Sequence, residues 1–257
     1  IAGAASMIGG AAAARAAPDG YTLIVWSEAA PLAALTYQKA TFDAVRDLQP
    51  IGTIAKGVFF LSVHPSVPAN SVAELIGLAK SKPGALAYGS SGIGSPHHVV
   101  TEMFIGATGV ELLHVPYKGS SETVTSLMRG DVQVAMGLPS SFAPHLKSGK
   151  FRGLAVAAPE RSGLFPNLPT ITESGVKGVE YLSWYAFFTP AGTPQPIIER
   201  LHAEVNKVVS DRAYIDERLG RVGLEAYETG LPEAMGLSKR YYDMLAPVVR
   251  RAGIKSE

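Results

Sequence analysis

With 257 residues, 47% hydrophobic and 18% charged, the chain can bury about 75% of the surface its unfolded form exposes and reads as globular rather than disordered. A net charge of +1 gives no electrostatic case for nucleic acid or an anionic membrane surface, and no apolar run approaches the roughly 20 residues of a membrane-spanning helix. The lack of cysteine excludes disulfides, thiolate metal sites and a Cys nucleophile.

The Ala-rich opening lacks the basic region of a signal peptide, and Pro18-Asp19-Gly20 closes it as a turn would, so residues 11–17 are predicted to be a short helix. Residues 21–26 (YTLIVW) form an apolar run expected as a buried strand, and 50–54 and 58–63 as two further strands. Ser71 with Glu74 is a capping box. It opens a helix with Val72, Leu75, Ile76 and Ala79 on one face, stopped by Lys82-Pro83-Gly84.

An alternation follows: strand 85–88, helix 96–105, strand 112–115, helix 121–128, strand 132–136, helix 142–147, strand 151–157. This pattern predicts an α/β fold with a largely parallel sheet and helices on both faces. After a Pro- and Gly-containing stretch comes a last apolar run, 184–188, with Trp184 and Tyr185 expected in the core. The rest is helical: one helix capped by Thr193 with Pro194 at its first position and a buried stripe of Ile197, Leu201, Val205 and Val208, then 214–219 and 232–251.

The segment richest in chemistry is Tyr88-Gly89-Ser90-Ser91-Gly92-Ile93-Gly94-Ser95-Pro96. A strand feeds a Gly-rich loop, and the loop feeds a helix with Ser95 as N-cap. Unpaired N–H groups and the partial positive charge of a first turn make such a loop an anion site, with hydroxyls on Ser90, Ser91 and Ser95 at hand. A dinucleotide fingerprint needs Gly where His97 stands, and a P-loop needs Lys where Ser95 stands. A carboxylate or other small anion remains, beside the alternative of a turn with no ligand. The segment His114-Val115-Pro116-Tyr117-Lys118-Gly119-Ser120 repeats the strand–loop–helix pattern, and ligands of open α/β sheets sit at the carboxyl ends of strands. No nucleophile elbow and no His-Glu-x-x-His motif occurs. The adjacent pair His97-His98 points to two helix faces and does not chelate one metal easily, with His98 expected to pack and His97 to be partly exposed.

These segments resemble the Bug family, the periplasmic solute receptors of tripartite tricarboxylate transporters. The resemblance is carried by Ala17-Pro18-Asp19-Gly20-Tyr21-Thr22-Leu23, the loop from Gly89 to Ser95 with His98, and Val115-Pro116-Tyr117-Lys118-Gly119. Arg161 with the PNLPTITE segment that ends at Glu173, and Trp184 leading to Pro190-Ala191-Gly192-Thr193-Pro194, complete it.

It implies a two-lobed Venus-flytrap fold of the periplasmic-binding-protein type II class, lobe 1 from 1–62 with 183–257 and lobe 2 from 63–182, with a ligand cleft between them. It implies a periplasmic receptor that captures a small carboxylate for the membrane components of a transporter, uses no cofactor or metal, and catalyses nothing. Ser27, Ser90, Ser91, Gly92, Gly94, Ser95, Lys118, Gly119 and Ser120 would line the ligand site. Family members begin with a further strand, loop and helix ahead of the part seen here, so the first lobe's sheet is expected to lack a strand and the site to lack part of its grip. Two other readings compete: an α/β enzyme using the Gly-rich loop as an oxyanion or phosphate site, and a ligand sensor for a signalling partner.

Overall fold

A computed structural model describes residues 7–37 and 40–256. The chain divides into two compact units: unit 1 holds the chain up to Lys56 and from Ser183 onward, and unit 2 is Gly57–Leu182. Among the described residues no helix is long and apolar enough to cross a membrane.

In unit 1, helix α1 (Met7–Ala14) starts and stops earlier than residues 11–17. Strand β1 is Ile24–Ser27, and helix α2 follows at Ala29–Thr36. The buried strand expected over 21–26 is instead a shorter and half-exposed one. Tyr21 is 93% exposed and Val25 50% exposed, because β1 ends the strand order and pairs with β7 (Leu182–Pro190), antiparallel from Ile24↔Phe188 to Ser27↔Tyr185. The two strands expected over 50–54 and 58–63 are one, β2 (Leu48–Val63), running unbroken through Lys56 and Gly57. Its first half also pairs with the short β8 (Glu225–Ala226).

Trp184 is fully buried, stacked near Phe188 and edge-on to Tyr241 of the last helix, α9 (Leu231–Arg251). Helix α7 (Gln195–Val209) has Pro194 as its N-cap, while the Thr193 hydroxyl donates to Pro190 O at 2.8 Å. Its buried residues are Ile198 and Val209. The expected stripe of Ile197, Leu201, Val205 and Val208 is shifted by one residue, and Val208 is exposed. Leu201, Val205 and Val208 line an apolar groove of about 590 Å³ with Leu23, Val25 and Phe187. The helix expected over 214–219 is a single turn, α8 (Arg212–Tyr214), continuing as a π-turn over Ile215–Leu219.

Unit 2 carries the alternating segment. Its elements are α3 (Val72–Ser81), β3 (Ala87–Ser90), α4 (Pro96–Thr108), β4 (Leu113–Pro116), α5 (Ser120–Arg129), β5 (Val134–Gly137), α6 (Pro139–Lys147) and β6 (Arg152–Ala157). Strands β4, β3 and β5 are parallel neighbours. The second half of β2 inserts antiparallel between β5 and β6. Four of these five strands thus run one way, as the alternation predicts, while β2 runs against them and makes both of its pairings here antiparallel.

The core beneath this sheet includes Phe60, Leu127, Phe142, Phe151 and Val156. Gly137 is forced by packing: a Cβ there would lie 1.9 Å from the Phe142 ring. Ser71 caps α3 by accepting from Glu74 N, but the Glu74 carboxylate accepts from Asn70 N–H at 2.8 Å rather than from Ser71, so the box is widened by one residue.

Candidate functional site

Strands β5, β3 and β4 run parallel, so their carboxyl ends share one edge of the unit 2 sheet, and the helices α6, α4 and α5 each begin there. Three first turns thus present unpaired N–H groups and partial positive charge at one edge. The α4 turn is built as its sequence dictates: Ser95 accepts from His98 N at 3.3 Å and Pro96 occupies the first position. The contribution of α6 is not anticipated by the sequence reading, which starts this helix at residue 142. Leu138-Pro139 was the signal available, with Leu138 as N-cap and Pro139 in the first turn.

The Gly-rich loop and the loop after β4 meet. Tyr117 N donates to Ser90 O at 2.9 Å, and the Ser120 hydroxyl lies 3.4 Å from His97 Nε2. Gly92 and Gly94 hold φ of 124° and 75°, a region that disfavours a side chain, so glycine lets the loop fold back toward its strand.

The site residues predicted from sequence fall into three sets. Ser91, Gly92, Ser95, Gly119 and Ser120 are half-buried at the sheet edge, and Lys118 is exposed beside them. The backbone N–H groups of Ser91 and Ile93 have no acceptor among the described residues. Ser90 and Gly94 are engaged inward. Ser90 is fully buried, its Oγ 2.7 Å from His114 Nε2 and 3.2 Å from Gly92 N, and Gly94 N–H donates to His98 Nδ1 at 3.1 Å. These two shape the loop while their polar groups are spent within it. Ser27 belongs to unit 1, where its Oγ accepts from Ala29 N at 3.2 Å.

Under the loops lie three histidines that composition alone does not single out. His97 is 6% exposed, not partly exposed as expected, because its ring packs edge-on against Phe59 at 5.2 Å. Its Nδ1 lies 2.9 Å from Ser91 Oγ. His98, 7% exposed, stacks on His114 at 4.0 Å, and His114 stacks on Tyr88 at 4.7 Å. The Tyr88 hydroxyl donates to Glu102 at 2.7 Å. Burial pushes His97 and His98 down to about 4, His98 with help from neighbouring His114, and burial lowers His114 as well. All three rings are neutral at pH 7 and act as hydrogen-bonding spacers.

The Ser91–His97 contact superficially resembles a nucleophile with its base. A base with a pKa near 4 has little driving force to take a serine proton at neutral pH, and the second His97 nitrogen faces a serine rather than a carboxylate that would orient it. The arrangement suits holding an anion with N–H and O–H donors, and among the described residues no cluster of side chains suits a metal.

In unit 1, Glu28 is 2% exposed at the start of α2. It accepts from the Ser183 hydroxyl at 2.9 Å and Trp184 N–H at 3.2 Å. Burial pushes its pKa up to about 7 despite those hydrogen bonds.

Comparison with known proteins points one way. The family described as the tripartite tricarboxylate transporter family receptor matches residues 1–253. Protein BugT of Bordetella pertussis is 31% identical over 256 residues, 99% of this chain and 78% of that protein. The structure of R. palustris Rpa4515 with adipate superposes with a TM-score of 0.84 at 33% identity, over 97% of this chain and 83% of that one. Periplasmic binding protein BugD superposes at 0.81 and 27% identity, over 99% and 86%. The mixed α/β fold is that of these solute-binding receptors.

Proposed function

Because the chain belongs to the tripartite tricarboxylate transporter receptor family, we propose that it captures a small carboxylate in the periplasm and delivers it to the membrane components of such a transporter. The single observation that carries this reading is the meeting of the Ser91–Ser95 and Lys118–Ser120 loops at helix first turns, with Ser91 and Ile93 N–H groups unspent. Charge-assisted hydrogen bonds from such donors contribute roughly 1.5–3 kcal/mol each. Rpa4515, which has the same fold, is described with adipate. Direct contacts fall to Ser91, Ile93, Gly119 and Ser120, with Lys118 adding long-range attraction, while Gly92 and Ser95 spend their N–H groups inside the loop. Ser90 and Gly94 act through His114 and His98 by fixing the loop.

A thermal-shift screen against adipate, malate, aromatic acids and amino acids tests this. A carboxylate present at 100 times its Kd adds about 2.7 kcal/mol of stability, and Ser91→Ala with Ser120→Ala removes part of that gain, the backbone N–H donors remaining. If no carboxylate shifts the midpoint, or if one is chemically converted during the assay, the receptor reading is wrong.

A further inference from the structure

We propose that His97 is a positioning residue that holds Ser91 and Ser120 in opposite hydrogen-bonding polarity, so that the two loops favour a carboxylate with a hydroxyl on the neighbouring carbon over the unsubstituted acid. The inference rests on the carboxylate reading above and narrows it.

The geometry is a ring shared by two serines. His97 Nδ1 lies 2.9 Å from Ser91 Oγ, and Nε2 lies 3.4 Å from Ser120 Oγ. A neutral imidazole has one N–H and one bare nitrogen, and burial keeps this ring neutral by pushing its pKa down to about 4. The serine facing the N–H accepts from it and keeps its own proton free. The serine facing the bare nitrogen must give the ring its only proton, which leaves lone pairs alone to face outward. This holds for either tautomer. Phe59, packed edge-on at 5.2 Å, fixes the ring's orientation.

The pair therefore presents one donor and one acceptor. The oxygens of an ionised carboxylate only accept, so one of them meets the free proton and the other meets a lone pair. A hydroxyl one carbon away supplies the missing donor. His98 cannot take over this role, because Gly94 N–H already occupies its Nδ1.

Malate and succinate differ by one such hydroxyl, which makes them the probes. Calorimetry on the wild-type protein is expected to show malate bound about tenfold more tightly than succinate, the scale of one hydrogen bond to a charged or buried partner. His97→Phe keeps a ring against Phe59 but frees both hydroxyls to donate, so the ratio falls to near one chiefly because succinate binding tightens severalfold. A purely structural His97 would weaken both acids equally, and an unchanged ratio overturns the proposal.

Binding of neither acid counts against the carboxylate reading itself. The state of the ring then decides the proposal without a ligand. Nitrogen-15 spectra of the ligand-free protein are expected to show His97 neutral in one dominant tautomer from pH 5 to 8, with the tautomer balance moved by Ser91→Ala or Ser120→Ala. A protonated ring at pH 6, or a balance that neither variant moves, overturns it even if His97→Phe fails to fold.

Discussion

Each unit buries titratable groups beside a strand-to-helix junction, and the two junctions respond to pH with opposite sign. In unit 2, between β3 and α4, the buried groups are His97 and His98, held neutral with pKa values near 4. In unit 1, between β1 and α2, the group is Glu28, held protonated up to about pH 7. As pH falls below 6.5 the unfolded chain gains protons that the native histidines refuse, so stability drops between about 6.5 and 4. As pH rises from 4.5 the unfolded chain loses the Glu28 proton that the native state keeps, so stability drops from 4.5 to about 7 and is flat above. The same low-dielectric pressure thus serves two ends. In unit 2 it leaves rings that can share hydrogen bonds with site hydroxyls, and in unit 1 it leaves a carboxyl that ties α2 to β7 without a cation.

The largest effect tests whether this contrast sits on equally firm cores. Trp184→Ala in unit 1 and Phe60→Ala in unit 2 remove fully buried rings, and urea denaturation is expected to show each losing about 3–5 kcal/mol. A loss below 1 kcal/mol in either would mean that unit's core is not the one described.

Next comes the alkaline limb. Glu28→Gln keeps the hydrogen-bonding geometry toward Ser183 and Trp184 but has no charge to bury. Relative to wild type it is expected to gain roughly 3 kcal/mol at pH 8 compared with pH 4.5. Denaturation curves that shift equally at both pH values would remove Glu28 from the account.

The acid limb is the matching test in unit 2. His97→Phe should flatten the fall in stability between pH 6.5 and 4 by roughly 3 kcal/mol or less, a slope that can be read whatever the variant's baseline. An unaltered slope would place the acid sensitivity elsewhere.

The smallest effect probes the exposed strand. Val25→Thr, on the half-exposed β1, is expected to change stability by less than about 0.5 kcal/mol; a larger loss would mean the side chain is covered in solution.

Much of unit 2 is legible in the sequence because each element carries its own punctuation. Ser71, and Ser95 with Pro96, mark helix starts in agreement with the structure. The strands there are short apolar runs whose assigned bounds shift by one or two residues. Unit 1 is less legible. Ala55-Lys56-Gly57 interrupts the apolar run and hides the continuity of β2, which is maintained by partners distant in sequence. The α7 stripe misleads because Val208 and its neighbours form a groove rather than a core.

At the site, the Gly- and Ser-rich loop is visible as a pattern, but which groups remain free is not. That Ser90 spends its hydroxyl on His114, and Gly94 its N–H on His98, depends on rings arriving from β4 and from the next turn of α4. No spacing rule contains that information. His97 looks like one half of an adjacent pair, and its link to Ser120 appears only when two loops separated by more than twenty residues meet.

The claim that these loops hold the ligand is tested most directly by titrating a bound carboxylate, malate in the first instance, into nitrogen-15-labelled protein. The largest unit 2 amide shifts are expected on Ser91, Ile93, Gly119 and Ser120, with Gly94 and Ser90 moving less because their groups are spent inside the loop. Saturable binding that leaves those four amides unmoved, with the shifts gathered instead around the apolar groove of Leu23, Val25 and Val208, would contradict it.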